Sequence, residues 1–86
     1  MYSKDRKDNL CPLGDMPLGT EGPIVKLTAT GLTRRRLLDL GFLPGTKVSP
    51  IRRSPFHDPT AYLVRGTVIA LRQEDSGRII VRKSDC

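Results

Sequence analysis

Turn-forming residues interrupt this chain so often that no long regular element fits into it. Eight glycines and seven prolines are spread through 86 residues, and the longest wholly apolar runs are three or four residues. Segments of that length between breakers suit strands of about five residues far better than helices of ten or more. A chain this short also has room for only one modest core. The expectation is therefore one small, mainly β domain.

Residues 1–9 mix Lys4, Asp5, Arg6, Lys7 and Asp8 without periodicity and read as a flexible charged tail, with the domain occupying residues 10–86. The run Leu13-Gly14-Asp15-Met16-Pro17-Leu18-Gly19-Thr20-Glu21-Gly22 is dense in turn formers, and Ile24-Val25-Lys26-Leu27-Thr28 then supplies a first strand with Val25 and Leu27 on one face. Thr30 is placed to cap a helix over Gly31–Leu40, with Thr33, Leu37 and Leu40 on its buried face and Gly41 at the left-handed position that ends it. Four more strands are expected: Lys47-Val48-Ser49-Pro50-Ile51-Arg52-Arg53, Ala61-Tyr62-Leu63-Val64-Arg65, Thr67-Val68-Ile69-Ala70-Leu71 and Arg78-Ile79-Ile80-Val81-Arg82. Pro50 cannot donate to a ladder, so an edge or a bulge is expected there. Five short strands and one helix hide their edges best by curling into a small barrel, with Val25, Leu27, Val48, Tyr62, Val64, Ile69 and Val81 inside.

Catalysis needs convergent titratable groups. The chain has one histidine, no Asp/Glu cluster, no nucleophile elbow and no phosphate loop, so no enzyme is expected. Cys11 and Cys86 lie near opposite ends and lack the close spacing of a zinc ligand set or a redox pair, so no metal or cofactor is expected, and free thiols are favoured over the alternative of one bridge between the termini. Residues 1–9 contain no apolar run, which speaks against a secretion signal or a membrane span and for a cytoplasmic protein. Fifteen Lys plus Arg against nine Asp plus Glu give a net charge of +6, which favours acidic partners and also simply keeps a protein soluble.

Arg34-Arg35-Arg36 places three cations within one helical turn, about 100° apart, so that they fan out. Such a run is usually a solvated face, yet arginine also pairs bidentately with carboxylates. Leu38 lies about 100° from Leu37 and falls outside the core face. With Phe42, Leu43 and the arginines it would make an apolar centre with a charged rim. The strand arginines lack the interleaved aromatics of a single-strand stacking platform.

Taken in order, Pro17-Leu18-Gly19-Thr20-Glu21-Gly22, Arg36-Leu37-Leu38-Asp39-Leu40-Gly41-Phe42-Leu43-Pro44-Gly45-Thr46, Val64-Arg65-Gly66-Thr67 and Ala70-Leu71-Arg72 resemble the FeoA family of ferrous iron transport proteins, over residues 13–83. The resemblance implies an SH3-like barrel with an inserted helix. It also implies a non-enzymatic cytosolic accessory that binds and modulates the ferrous iron transporter FeoB through its cytosolic GTP-binding region, touching the membrane only through that partner. The same barrel occurs as the terminal domain of iron-dependent repressors.

The partner-binding residues expected on this reading are Arg34, Arg35, Leu38, Phe42 and Leu43, with weak self-association left open. The alternative is a nucleic-acid- or iron-regulator-associated binding module, motivated by the +6 charge. A third reading is a metal sensor using His57, Asp58 and a cysteine.

Overall fold

The short β-branched runs form strands, and six of them join in one antiparallel sheet. The computed structural model describes residues 10–56 and 58–83, so the expected tail, His57 and Cys86 lie outside the described residues. The strands are β1 (Leu10–Pro12), β2 (Gly22–Leu27), β3 (Lys47–Arg53), β4 (Thr60–Val64), β5 (Thr67–Leu71) and β6 (Ile79–Arg82), in the spatial order β1-β6-β2-β3-β4-β5. Helix α1 (Gly31–Leu40) connects β2 to β3, and a single turn, α2 (Gln73–Ser76), connects β5 to β6. The sequence reading missed β1 and α2.

Ile24, Val48, Tyr62, Val64, Leu71, Ile79 and Val81 come from β2 through β6 and share one core with Leu13, Met16, Leu37 and Phe42. In a flat sheet with strands about 4.8 Å apart, β5 and β6 would stand roughly 19 Å from each other. Sharing a core requires the sheet to curl, and the expected small barrel results. Among the described residues no strand joins β5 to β1, so the barrel is open between its two edge strands.

Two details depart from the alternation read in the sequence. The pairing of β2 with β6 shifts between Ile24 and Lys26, so Ile24 is buried while Val25 is only half-buried. One extra residue in a strand reverses which side chains face inward. Leu27 and Ile69 are likewise half-buried against the core. The bulge expected at Pro50 is found beside it, in a strand that is not an edge of the sheet. The β3–β4 register shifts between Pro50 and Arg52, and β3 pairs with β2 only through Lys47 and Val48. The Pro50 carbonyl instead accepts the Gly19 N–H at 3.0 Å.

Helix α1 buries Leu37 completely and Thr33 partly, whereas Leu40, expected on the same face, is 38% exposed. Thr30 has the extended backbone of an N-cap, but its hydroxyl makes no capping bond. The C-terminus is a full Schellman motif. Gly41, at φ 111°, donates to the Leu38 carbonyl, and Phe42 donates to the Leu37 carbonyl, each at 3.0 Å. The nearest atom to a Cβ built on Gly41 is Arg65 Cδ at 4.0 Å, so space is available and the constraint is conformational. Gly41→Val is expected to destabilise by about 1 kcal/mol or more, lowering Tm by about 4–8 °C for a domain of this size; an unchanged melting curve would overturn the assignment.

Candidate partner-binding surface

At 100° per residue, Leu37 marks the buried side of α1, and Gly31, Leu32, Arg34, Arg35, Leu38 and Asp39 fall within one arc of about 160° on the opposite side. Those six residues line a single shallow groove. Leu32 is 84% exposed and Leu38 is half-buried. On the helix wheel Arg35 falls between them. An aliphatic pair bounded by Arg34, Arg35 and Asp39 has the make-up of a contact patch with a charged rim.

The three arginines divide as their angles require. Arg36 turns to the flank, where its Nη2 donates to Asp75 Oδ2 at 2.7 Å and ties α1 to α2. Being half-exposed, this pair adds at most about 1 kcal/mol. Its consequence is positional, because it uses up one arginine and leaves Arg34 and Arg35 beside the groove. The α2 turn is held in place by Asp58, whose Oδ1 accepts the Gln73 backbone N–H at 2.8 Å. That long-range cap satisfies an N–H that α2 cannot pair within itself.

Arg34, Arg35 and Leu38 are thus brought together as the sequence suggested. Phe42 is not available to a partner, since it is fully buried in the core. Its backbone bond to Leu37 draws the ring inward, so it seats the helix instead. Leu43 is half-buried and lies off the groove. Sequence reasoning overlooked Leu32, whose signal was its position at the start of the helix, away from Leu37. It also overlooked Arg65, which the β4–β5 turn carries to the C-terminal end of α1.

Among the described residues no three His, Cys, Asp or Glu side chains gather as metal ligands. Asp58, a partner of His57 in the metal-sensor reading, has its carboxylate engaged by Gln73 and lies 4.0 Å from Arg72 Nη1. Cys11 is a free, half-buried thiol. Burial pushes its pKa up against a smaller opposing effect of Lys83, with Asp15 adding slightly to the rise, so it is held away from the reactive thiolate form. Among the described residues no helix is long and apolar enough to cross a membrane.

Comparison with known proteins follows the same lines. A family model described as the FeoA domain matches residues 11–83. A Fe(2+) transport protein A/Fe(2+) transporter FeoB fusion protein of Porphyromonas gingivalis is 30% identical over 69 residues, which are 80% of this chain and 8% of that protein. This chain therefore spans a small fraction of the length of that relative. An iron uptake regulatory protein (FeoA) of known crystal structure superposes with a TM-score of 0.80 at 28% identity, over 87% of this chain and 99% of that one. A FeoA of Stenotrophomonas maltophilia, crystallised with zinc and described as a procaryotic SH3 domain protein, gives a TM-score of 0.71 at 30% identity, over 80% and 86% of the two chains.

Proposed function

The chain belongs to the FeoA family, a group of small domains associated with ferrous iron transport, and on that premise we propose that it is a cytoplasmic, non-enzymatic accessory that binds a FeoB-type transporter and modulates ferrous iron uptake. The observation that carries this reading is the fusion relative, in which a similar domain and a FeoB transporter share one polypeptide. Fusion gives two modules an effective concentration in the millimolar range without requiring a strong interface. Fused or not, the two modules can act on each other only through a surface on which they meet. The outer face of α1, with Leu32, Leu38, Arg34 and Arg35, is the surface we assign to that task. Its cations suit an acidic patch on the cytosolic GTP-binding region of the transporter.

Calorimetric titration of this protein into the purified cytosolic region of its cognate transporter, with and without a GTP analogue, tests the proposal. Saturable binding is expected, weakening as salt is raised, because an interface rimmed by exposed charges is screened. Absence of heat in both nucleotide states, together with no co-purification with the full transporter, would overturn it.

A further inference from the structure

Proteins usually blunt the exposed edges of their sheets with charge, proline, bulges or very short strands. The β1 edge follows that rule, being three residues long and ending in Pro12. The β5 edge does not. Thr67-Val68-Ile69-Ala70-Leu71 carries no charge and no proline, and its five-pair register with β4 is unbroken. Among the described residues no strand lies on its other side. Ile69 points to the core opposite buried Tyr62 yet stays half-exposed, and Val68 is 55% exposed across from Leu63 at 40%.

The turn between β4 and β5 fixes which groups are free. Arg65 and Gly66 both have positive φ, 53° and 79°, as in a two-residue type I′ hairpin. Val64 and Thr67 then exchange the first hydrogen bonds, and alternation directs the N–H groups of Ile69 and Leu71 to β4 as well. The N–H and C=O groups of Val68 and Ala70 are left facing the open edge.

We infer that β5 is a homodimerisation edge, pairing antiparallel with β5 of a second copy about a two-fold axis through Ile69. In that register Val68 of each copy exchanges hydrogen bonds with Ala70 of the other, which uses all the free edge groups. The two Ile69 side chains meet on the core side and cover each other at the open side of both barrels. The strand itself carries no charge, so the pairing brings no like charges opposite each other within it. The interface is small, so the dimer is weak.

Sedimentation equilibrium of the full chain up to about 1 mM, with amide hydrogen exchange at low and high concentration, tests this. A monomer–dimer equilibrium is expected, with protection of the Val68 and Ala70 amides rising with concentration. Two copies each carrying +6 repel, so added salt tightens the dimer, the reverse of its effect on an acidic partner. Ala70→Pro removes only the outward N–H and leaves the β4 ladder whole, and Val68→Lys adds an edge charge. Each should weaken the dimer roughly tenfold or more. The inference is overturned by a monomeric wild type at 1 mM, by a dimer that both variants retain, or by concentration-independent protection of these amides, which would mean that the chain covers its own edge.

Discussion

Gly22→Ala should cost about 3 kcal/mol or more, the upper end of what overpacking a filled site does. For a domain of this size that lowers Tm by about 12–24 °C, a large share of a total stability of about 5–15 kcal/mol. Gly22 opens β2, pairs with Val48 of β3, and stands two residues before Ile24, where the pairing with β6 begins. A Cβ built there overlaps the Arg82 backbone carbonyl and also presses on Met16 Cε at 3.5 Å. The methionine end is flexible and can move. The carbonyl belongs to the end of β6 and cannot yield without opening the β2–β6 approach on which the curl of the sheet depends. Gly41 supplies the contrast, with open space but a left-handed backbone, and its substitution carries the smaller conformational cost. Thermal melts of the two variants side by side check the ordering. A Gly22→Ala protein that melts like the wild type would mean that β2 and β6 stand farther apart than described.

The tight approach at Gly22 was not legible in the sequence, because the atom that forbids a side chain is sixty residues away. The same holds for α2. Gln73-Glu74-Asp75-Ser76 reads as a turn, and the group that caps it is the carboxylate of Asp58, which lies in the β3–β4 connection two strands earlier. The β1 strand was missed for a different reason: three residues ending in proline are too few to alternate. By contrast, β2 through β6 and α1 were legible as elements, since their apolar runs and breakers are local signals. Only the bulge at Val25 misled the inward list, because one inserted residue leaves the composition of a strand unchanged.

The candidate surface divides in the same way. Arg34, Arg35 and Leu38 follow from helix angles alone, and they do share a groove. The sequence reading places Phe42 on the surface as part of an apolar centre with Leu38 and Leu43 beside the arginines. A local signal pointed the other way. In a Schellman motif the residue after the glycine commonly packs on the residue three before the helix end, and Leu37 and Phe42 occupy those places, both fully buried. Reading the glycine as a complete motif, and not only as a stop, places Phe42 in the core from sequence.

With Phe42 in the core, recognition falls to the outer face of α1, and Arg35→Glu combined with Leu38→Glu is expected to weaken transporter binding by at least about a hundredfold. Truncating a central contact commonly costs 2 kcal/mol or more, and reversing a charge against an acidic patch adds repulsion to the loss of attraction. Arg35 is exposed and makes no ion pair among the described residues, so its reversal leaves the fold untouched. Leu38 is half-buried, and its substitution could loosen the helix. Arg34→Glu with Arg35→Glu changes exposed positions only and separates the two effects. It should reduce affinity at least about tenfold and flatten the salt dependence, with an unaltered melting curve. Arg36→Ala is the informative neighbour: Arg36 pairs with Asp75 away from the groove, so its removal should leave affinity within a few fold while costing at most about 1 kcal/mol of stability. Wild-type affinity in both double variants would move the binding surface off α1, and a loss in Arg36→Ala equal to theirs would show that the charge of the run acts as a whole and that the groove has no special part in it.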